Sequence, residues 1–177
     1  MRFSLARNDN VTYHNDGGEG KMTMKDFSDH IIAVAGENNL SITNLQLQKV
    51  MYFSLQTALV QEIIDTDFLN AMYNEQFQVW RYGPVVKSIY EEYKVYGSDS
   101  ITKAGNIAPQ LSPLDATIIS YLTANPFELV KKSHSEKFWL DHQNQIDGWR
   151  SDVGYSLEDI KMGIEHLVSK KKTYYHI

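Results

Sequence analysis

Thr43-Asn44-Leu45-Gln46-Leu47-Gln48-Lys49-Val50-Met51-Tyr52-Phe53-Ser54-Leu55-Gln56-Thr57-Ala58-Leu59 is the stretch that decides the fold. Thr43 stands three residues before Gln46, the pattern in which a hydroxyl and a side-chain amide cap each other's backbone N–H groups at a helix start. Behind it Leu45, Leu47, Val50, Met51, Tyr52, Phe53, Leu55, Ala58 and Leu59 leave almost no polar face. A surface helix carries one apolar stripe, whereas a helix apolar nearly all round is enclosed by its neighbours. The stretch therefore predicts a central helix with others packed around it.

The flanks supply those neighbours. Upstream, Thr23 with Asp26 resembles a second capping box, followed by Met24, Phe27, Ile31, Val34 and Ala35 on one face and a stop near Asn38-Asn39. Before it, Asp16-Gly17-Gly18-Glu19-Gly20 reads as loop, so residues 1–22 are expected to form a flexible N-terminal arm and 23–177 one domain. Downstream, Phe77-Gln78-Val79-Trp80 alternates as a short strand does. Gly83-Pro84 is expected to end that piece, with Pro84 at the first position of a helix, where its missing N–H needs no partner. Val85, Val86, Ile89, Tyr90, Tyr93 and Tyr96 give this helix its face, and Gly97 its stop.

After a loop over 105–110, Ser112-Pro113-Leu114-Asp115 opens a helix bearing Leu114, Ile118, Tyr121 and Leu122, which Pro126 ends. Phe127 to Lys132 reads as one or two helical turns, Phe138-Trp139 as a packed anchor and Asp147-Gly148-Trp149-Arg150 as a turn. Ser156 with Asp159 starts a last helix with Leu157, Ile160, Ile164, Leu167 and Val168 on one face. Lys170-Lys171-Lys172 follows, where cations favour the helix dipole. The fold class is mainly α: a single compact helical domain of about five or six helices with at most a small β element.

Composition narrows the function classes. The chain has 177 residues with 17 Lys+Arg against 22 Asp+Glu, a formal charge of −5. An acidic balance disfavours general nucleic-acid binding, which needs a basic surface to release counterions. The absence of cysteine removes disulfides, thiolate metal sites and a cysteine nucleophile. No apolar h-region opens the chain and no apolar run approaches the roughly 20 residues of a membrane helix, so a cytosolic location without membrane contact is expected.

The search for chemistry returns little. None of His14, His30, His134, His142, His166 and His176 makes an i, i+4 pair or an H-E-x-x-H motif. His134, Asp141 and His142 are the candidates for a metal site, and Glu92 with Lys94 imitates the E-x-K of some metal nucleases. Residues two apart on a helix face different ways, so Glu92 and Lys94 read as a solvated face. No phosphate loop, dinucleotide fingerprint or nucleophile elbow is present. The aromatic group Trp80, Tyr82, Tyr90, Tyr93, Tyr96 has two readings, core packing or a protein-binding surface, since Tyr, Trp and Arg supply most interface hot spots.

Two segments together carry a resemblance. One is Ser41-Ile42-Thr43-Asn44-Leu45-Gln46-Leu47-Gln48-Lys49-Val50-Met51-Tyr52-Phe53. The other is Val79-Trp80-Arg81-Tyr82-Gly83-Pro84-Val85-Val86-Lys87-Ser88-Ile89-Tyr90-Glu91-Glu92-Tyr93-Lys94-Val95-Tyr96-Gly97. Their arrangement resembles the Panacea antitoxin domain, a family that includes SocA-like proteins and phage-associated GepA-like proteins. Leu129-Val130-Lys131-Lys132-Ser133-His134-Ser135-Glu136-Lys137-Phe138-Trp139 looks like its third block. Lys87 stands where a proline is common in the family, Val50-Met51 and Phe53-Ser54 replace Leu-Leu and Tyr-Ala, and Ser133 replaces threonine.

The resemblance implies a non-enzymatic, mainly helical antitoxin of a toxin–antitoxin system, needing no cofactor or metal and neutralising a cognate toxin by direct protein–protein binding. The SocA-like branch implies an alternative, a proteolytic adaptor that delivers a toxin to a ClpXP-type protease. A metal-dependent hydrolase or nuclease using His134, Asp141, His142 or Glu92 is the competing reading from another class. The motif positions expected to be structural are Leu45, Leu47, Gln48, Lys49, Tyr52, Trp80, Gly83, Pro84, Val85, Val86, Tyr90, Tyr93, Gly97, His134 and Trp139. Those expected to touch the partner are Trp80, Tyr82, Pro84, Tyr90 and Tyr93. The charge of −5 favours a basic toxin.

Overall fold

A computed structural model describes residues 20–163. The expected arm up to residue 19, and Ile164, Leu167, Val168 and Lys170 to Lys172, lie outside the described residues. Among the described residues the architecture is mainly helical with one two-stranded antiparallel sheet. At its centre is α2 (Asn44–Gln61), 15 of whose residues from Asn44 to Leu59 are buried. Around it pack α1 (Met24–Glu37), the β1–β2 hairpin (Phe77–Trp80 and Gly83–Val86), α4 (Lys87–Tyr93), α5 (Asp115–Leu122) and α6 (Pro126–His134). Between α2 and β1 lies α3 (Thr66–Met72), and α6 is followed by α7 (Lys137–His142). The chain is helical again over 157–163.

Local signals place most helix starts. Thr23 and Asp26 form a full capping box on α1. Ser156 and Asp159 form another, with Ser156 N donating to Asp159 at 2.8 Å and Asp159 N to Ser156 Oγ at 3.1 Å. At α2 only half of the expected box forms. Thr43 Oγ1 accepts from Gln46 N at 3.2 Å, but the Gln46 side chain donates instead to the Leu122 carbonyl at 2.8 Å, tying α2 to the end of α5. A buried carbonyl at a helix end needs a partner, and Gln46 supplies it.

Two expectations need correction. Pro84 does not begin a helix: it lies in β2, paired with Val79, and α4 starts at Lys87. Proline suits this position because the Val79–Pro84 pair makes no ladder bond: Val79 N donates away to Val153 O, and the Pro84 carbonyl faces α2, where it accepts from Lys49. Nor does Pro126 simply end a helix. It occupies the first turn of α6 behind the cap Asn125, whose side chain accepts from Phe127 N. The helix α3, capped by Asp65, is an addition to the expected elements.

The hairpin turn is tight. Arg81 and Tyr82 join strands in which Trp80 pairs with Gly83, and Gly83 takes φ of +93°. A Cβ there would overlap Ser133 Oγ and approach Lys49 Nζ at 3.0 Å, so both the backbone angle and the space require glycine. Main-chain groups of β2 are met by α2: Lys49 Nζ donates to the Pro84 carbonyl at 2.8 Å and Val86 N donates to Gln48 Oε1 at 2.9 Å. On its other side β1 is crossed by the segment 149–155, through Val79 N to Val153 O, Tyr155 N to Phe77 O and Arg81 N to Trp149 O.

Polar ties lock the periphery. The fully buried His30 accepts from Ala108 N at Nδ1 (3.1 Å), which places its proton on Nε2, facing Asp115 Oδ1 at 2.9 Å. It fastens α1 to the loop before α5. Glu136, also buried, accepts from Tyr52 Oη at 2.5 Å and Gln56 Nε2 at 2.9 Å. Burial raises its pKa, against the lowering effect of those two donors.

Candidate functional site: an aromatic groove

A groove of about 550 Å³ runs between the first turns of α2, the hairpin, α4 and the turn at 149–150. Its floor is Asn44, Leu45 and Gln48 from α2 with Val85 from β2. Asn44 and Gln48 are one helical turn apart and share a face. Asn44 Nδ2 donates to the Tyr90 carbonyl at 3.1 Å, so the floor is pinned to α4. One wall is the edge-to-face pair Trp80–Tyr90, with ring centres 5.0 Å apart. Trp80 is 5% exposed.

The outer lip is Tyr82 and Trp149, whose rings lie 5.5 Å apart and are 49% and 55% exposed. Large aromatics left this open are the informative exception to core burial. One guanidinium braces the lip and another the wall. Arg81 stacks over Trp149 at 4.8 Å, and Arg150 lies over Trp80 at 4.5 Å and over Tyr90 at 5.5 Å. Arg150 also pairs with Glu91 at 2.9 Å, and Lys94 pairs with the same carboxylate. Those cations, the Lys94 hydrogen bond foremost, hold the Glu91 pKa below its ordinary value. Lys94, Gly97 and Ser98 complete the far rim.

The residues expected to touch a partner divide here. Trp80, Tyr82 and Tyr90 line the groove. Pro84 is buried inside the hairpin, and Tyr93 is buried against α1 with its hydroxyl donating to Asp29 at 3.1 Å. Burial, with the Asp29 and Glu92 carboxylates, raises the Tyr93 pKa. The motif positions expected to be structural divide as well. Leu47, Lys49, Tyr52 and Val86 are core, and Gly83 makes the turn. His134 and Trp139 stack behind the hairpin at 3.9 Å, with Trp139 Nε1 donating to the Trp80 carbonyl at 3.0 Å. By contrast Leu45, Gln48, Val85, Tyr90 and Gly97 reach the groove.

Asn44, Trp149 and Arg150 were missed as site residues. A tryptophan beside an arginine in the turn Asp147-Gly148-Trp149-Arg150 is the local signal for the last two. Asn44 reads from sequence only as a first helical residue.

The residues considered for catalysis do not converge. His142 Nδ1 is 2.8 Å from the Phe138 carbonyl, Asp141 pairs with Lys137, and Glu92 pairs with Lys25 and Lys103 while Lys94 turns to Glu91. His134 is held by Trp139, and burial, then the nearby Lys49, lowers its pKa. Among the described residues no three His, Asp or Glu side chains are placed to hold a metal ion, and no helix is long and apolar enough to cross a membrane. No protein family, curated protein or solved structure matches the chain.

Proposed function

We propose that the protein is an antitoxin-type binding protein, acting without catalysis in the cytosol, that neutralises a cognate toxin by direct contact through the aromatic groove. One observation carries this reading: the two sequence blocks that resemble the Panacea domain meet along a single groove, Leu45 and Gln48 from one and Trp80, Tyr82, Val85 and Tyr90 from the other. Interfaces draw most of their energy from a few Trp, Tyr and Arg side chains in a well-packed centre with a polar rim. Trp80, Tyr90 and Arg150 supply the centre, and Lys94 and Ser98 the rim.

The test is co-expression with the product of the adjacent gene. That product alone should arrest growth, and this chain should restore growth and co-purify with the toxin. If the neighbour is harmless, or its toxicity is unchanged by this chain, the reading fails. The toxin's half-life separates mechanisms: a longer life means sequestration, and a shorter one means delivery to a protease.

A further inference from the structure

Two polar atoms in the groove floor have no partner among the described residues. Asn44 and Gln48 are 3% and 1% exposed, yet Asn44 Oδ1 and Gln48 Nε2 make no hydrogen bond. Their identities are fixed. Asn44 Nδ2 is committed to the Tyr90 carbonyl and Gln48 Oε1 to Val86 N–H, so flipping either amide would set two donors or two acceptors against each other. What remains is one free acceptor and one free donor, on residues about 6 Å apart along the axis of α2. Both residues line the groove. A buried polar atom left unpaired destabilises a fold, and two on one helix face beside an open aromatic cleft point to a ligand that pairs with both.

We infer that the groove binds an extended segment of the partner protein by its main chain. In an extended chain the N–H and C=O of one residue point to the same side, as in the hydrogen-bonded pairs of an antiparallel ladder. The N–H donates to Asn44 Oδ1, and the C=O accepts from Gln48 Nε2. The flanking side chains lie against Trp80, Tyr90 and Trp149, so an apolar or aromatic residue is expected beside the recognised peptide unit. Main-chain bonds with side-chain pockets are a recurrent mode of peptide recognition.

A nucleobase also offers a donor beside an acceptor. Its edge is read by the two ends of one amide, whereas here the two free atoms belong to different side chains and make no hydrogen bond with each other. Of the cations around the groove, Lys94 and Arg150 are engaged by Glu91 and Arg81 stacks on Trp149, which disfavours a phosphate. The inference rests on the antitoxin reading only for the identity of the partner.

The test uses the full chain and a library of hexapeptides blocked at both ends, with Phe, Trp or Leu fixed at the centre, read by tryptophan fluorescence. The best binder is then methylated at each backbone nitrogen in turn. Methylation at one position should weaken binding at least tenfold, and the others should change it less than about twofold. Gln48→Glu keeps an oxygen for Val86 N–H but replaces the free donor with an acceptor, and should weaken the same peptide at least tenfold. Trp149→Ala, at the exposed lip, should weaken it with no loss of fold.

The inference is overturned if no peptide binds, if no single methylation matters, or if adenosine binds where peptides do not. The methylation series uses unaltered protein, so it decides the matter even if Gln48→Glu fails to fold. If toxin rescue survives both substitutions, this inference falls, and the antitoxin reading stands with its contact surface outside the groove. If peptides bind as described but rescue fails with the unaltered protein, the reverse holds.

Discussion

Lys49 sits in the core of α2 with no exposed surface, its ammonium donating to the Pro84 carbonyl. Burial lowers its pKa from 10.5 to about 7. Between those values the unfolded chain holds a proton that the folded chain lacks, so stability rises with pH across the window. Below about pH 7 both states are protonated, and the folded state carries the full cost of a buried cation. Burial also raises the pKa of Tyr52, Tyr73, Tyr93 and Tyr155, an opposing effect that enters only near the unfolded tyrosine value of about 10. Urea unfolding between pH 7 and 9 should therefore show stability climbing by up to about 1 kcal/mol per pH unit. Lys49→Met should lack this component of the slope, and an unchanged slope would contradict the assignment.

Among the elements, α2 ends on a non-glycine residue in the left-handed region: Glu62 has φ of 52°. That conformation costs a side chain about 1–2 kcal/mol, and a carboxylate at a helix C-terminus opposes the dipole. Glu62 is exposed, so Glu62→Gly removes both penalties without disturbing packing. After the larger entropy of glycine in the unfolded chain is subtracted, about 0.5–1 kcal/mol of added stability is expected. Urea melts with an unchanged m value check it.

The elements also show why some of the fold was legible in the sequence. The capping boxes of Thr23–Asp26 and Ser156–Asp159 close within one turn, and so read correctly from local sequence. Gln46 read wrongly because its side chain serves Leu122, 76 positions away. Pro84 read as a helix start because nothing local reveals that Val79 lies opposite it. The groove divides the same way. Trp80, Tyr82 and Tyr90 stood out as aromatics, whereas Trp149 and Arg150 join them only through the long-range pairing of 149–155 with β1.

For the whole molecule, the formal charge of −5 bears on encounter rather than on the groove, whose nearby cations Lys94 and Arg150 are already paired with Glu91. Under the antitoxin reading a basic toxin is steered by the field of the whole domain. Its association rate should fall by at least several-fold between about 50 and 500 mM salt as the field is screened, while the dissociation rate, set by aromatic contacts, changes little. Stopped-flow measurement of both rates checks this, and a salt-independent association rate would count against a basic partner.

The side-chain bonds from α2 to the hairpin have a further consequence. A two-stranded sheet has two open borders, each able to recruit a strand from another molecule. Here the outward carbonyl of Pro84 and N–H of Val86 are occupied by Lys49 and Gln48, and the far border of β1 is taken by 149–155. Both borders of the hairpin are thus occupied, which disfavours strand addition. An extended partner lying in the groove meets the amides of a helix instead of a ladder, so contact with it need not expose a template for aggregation.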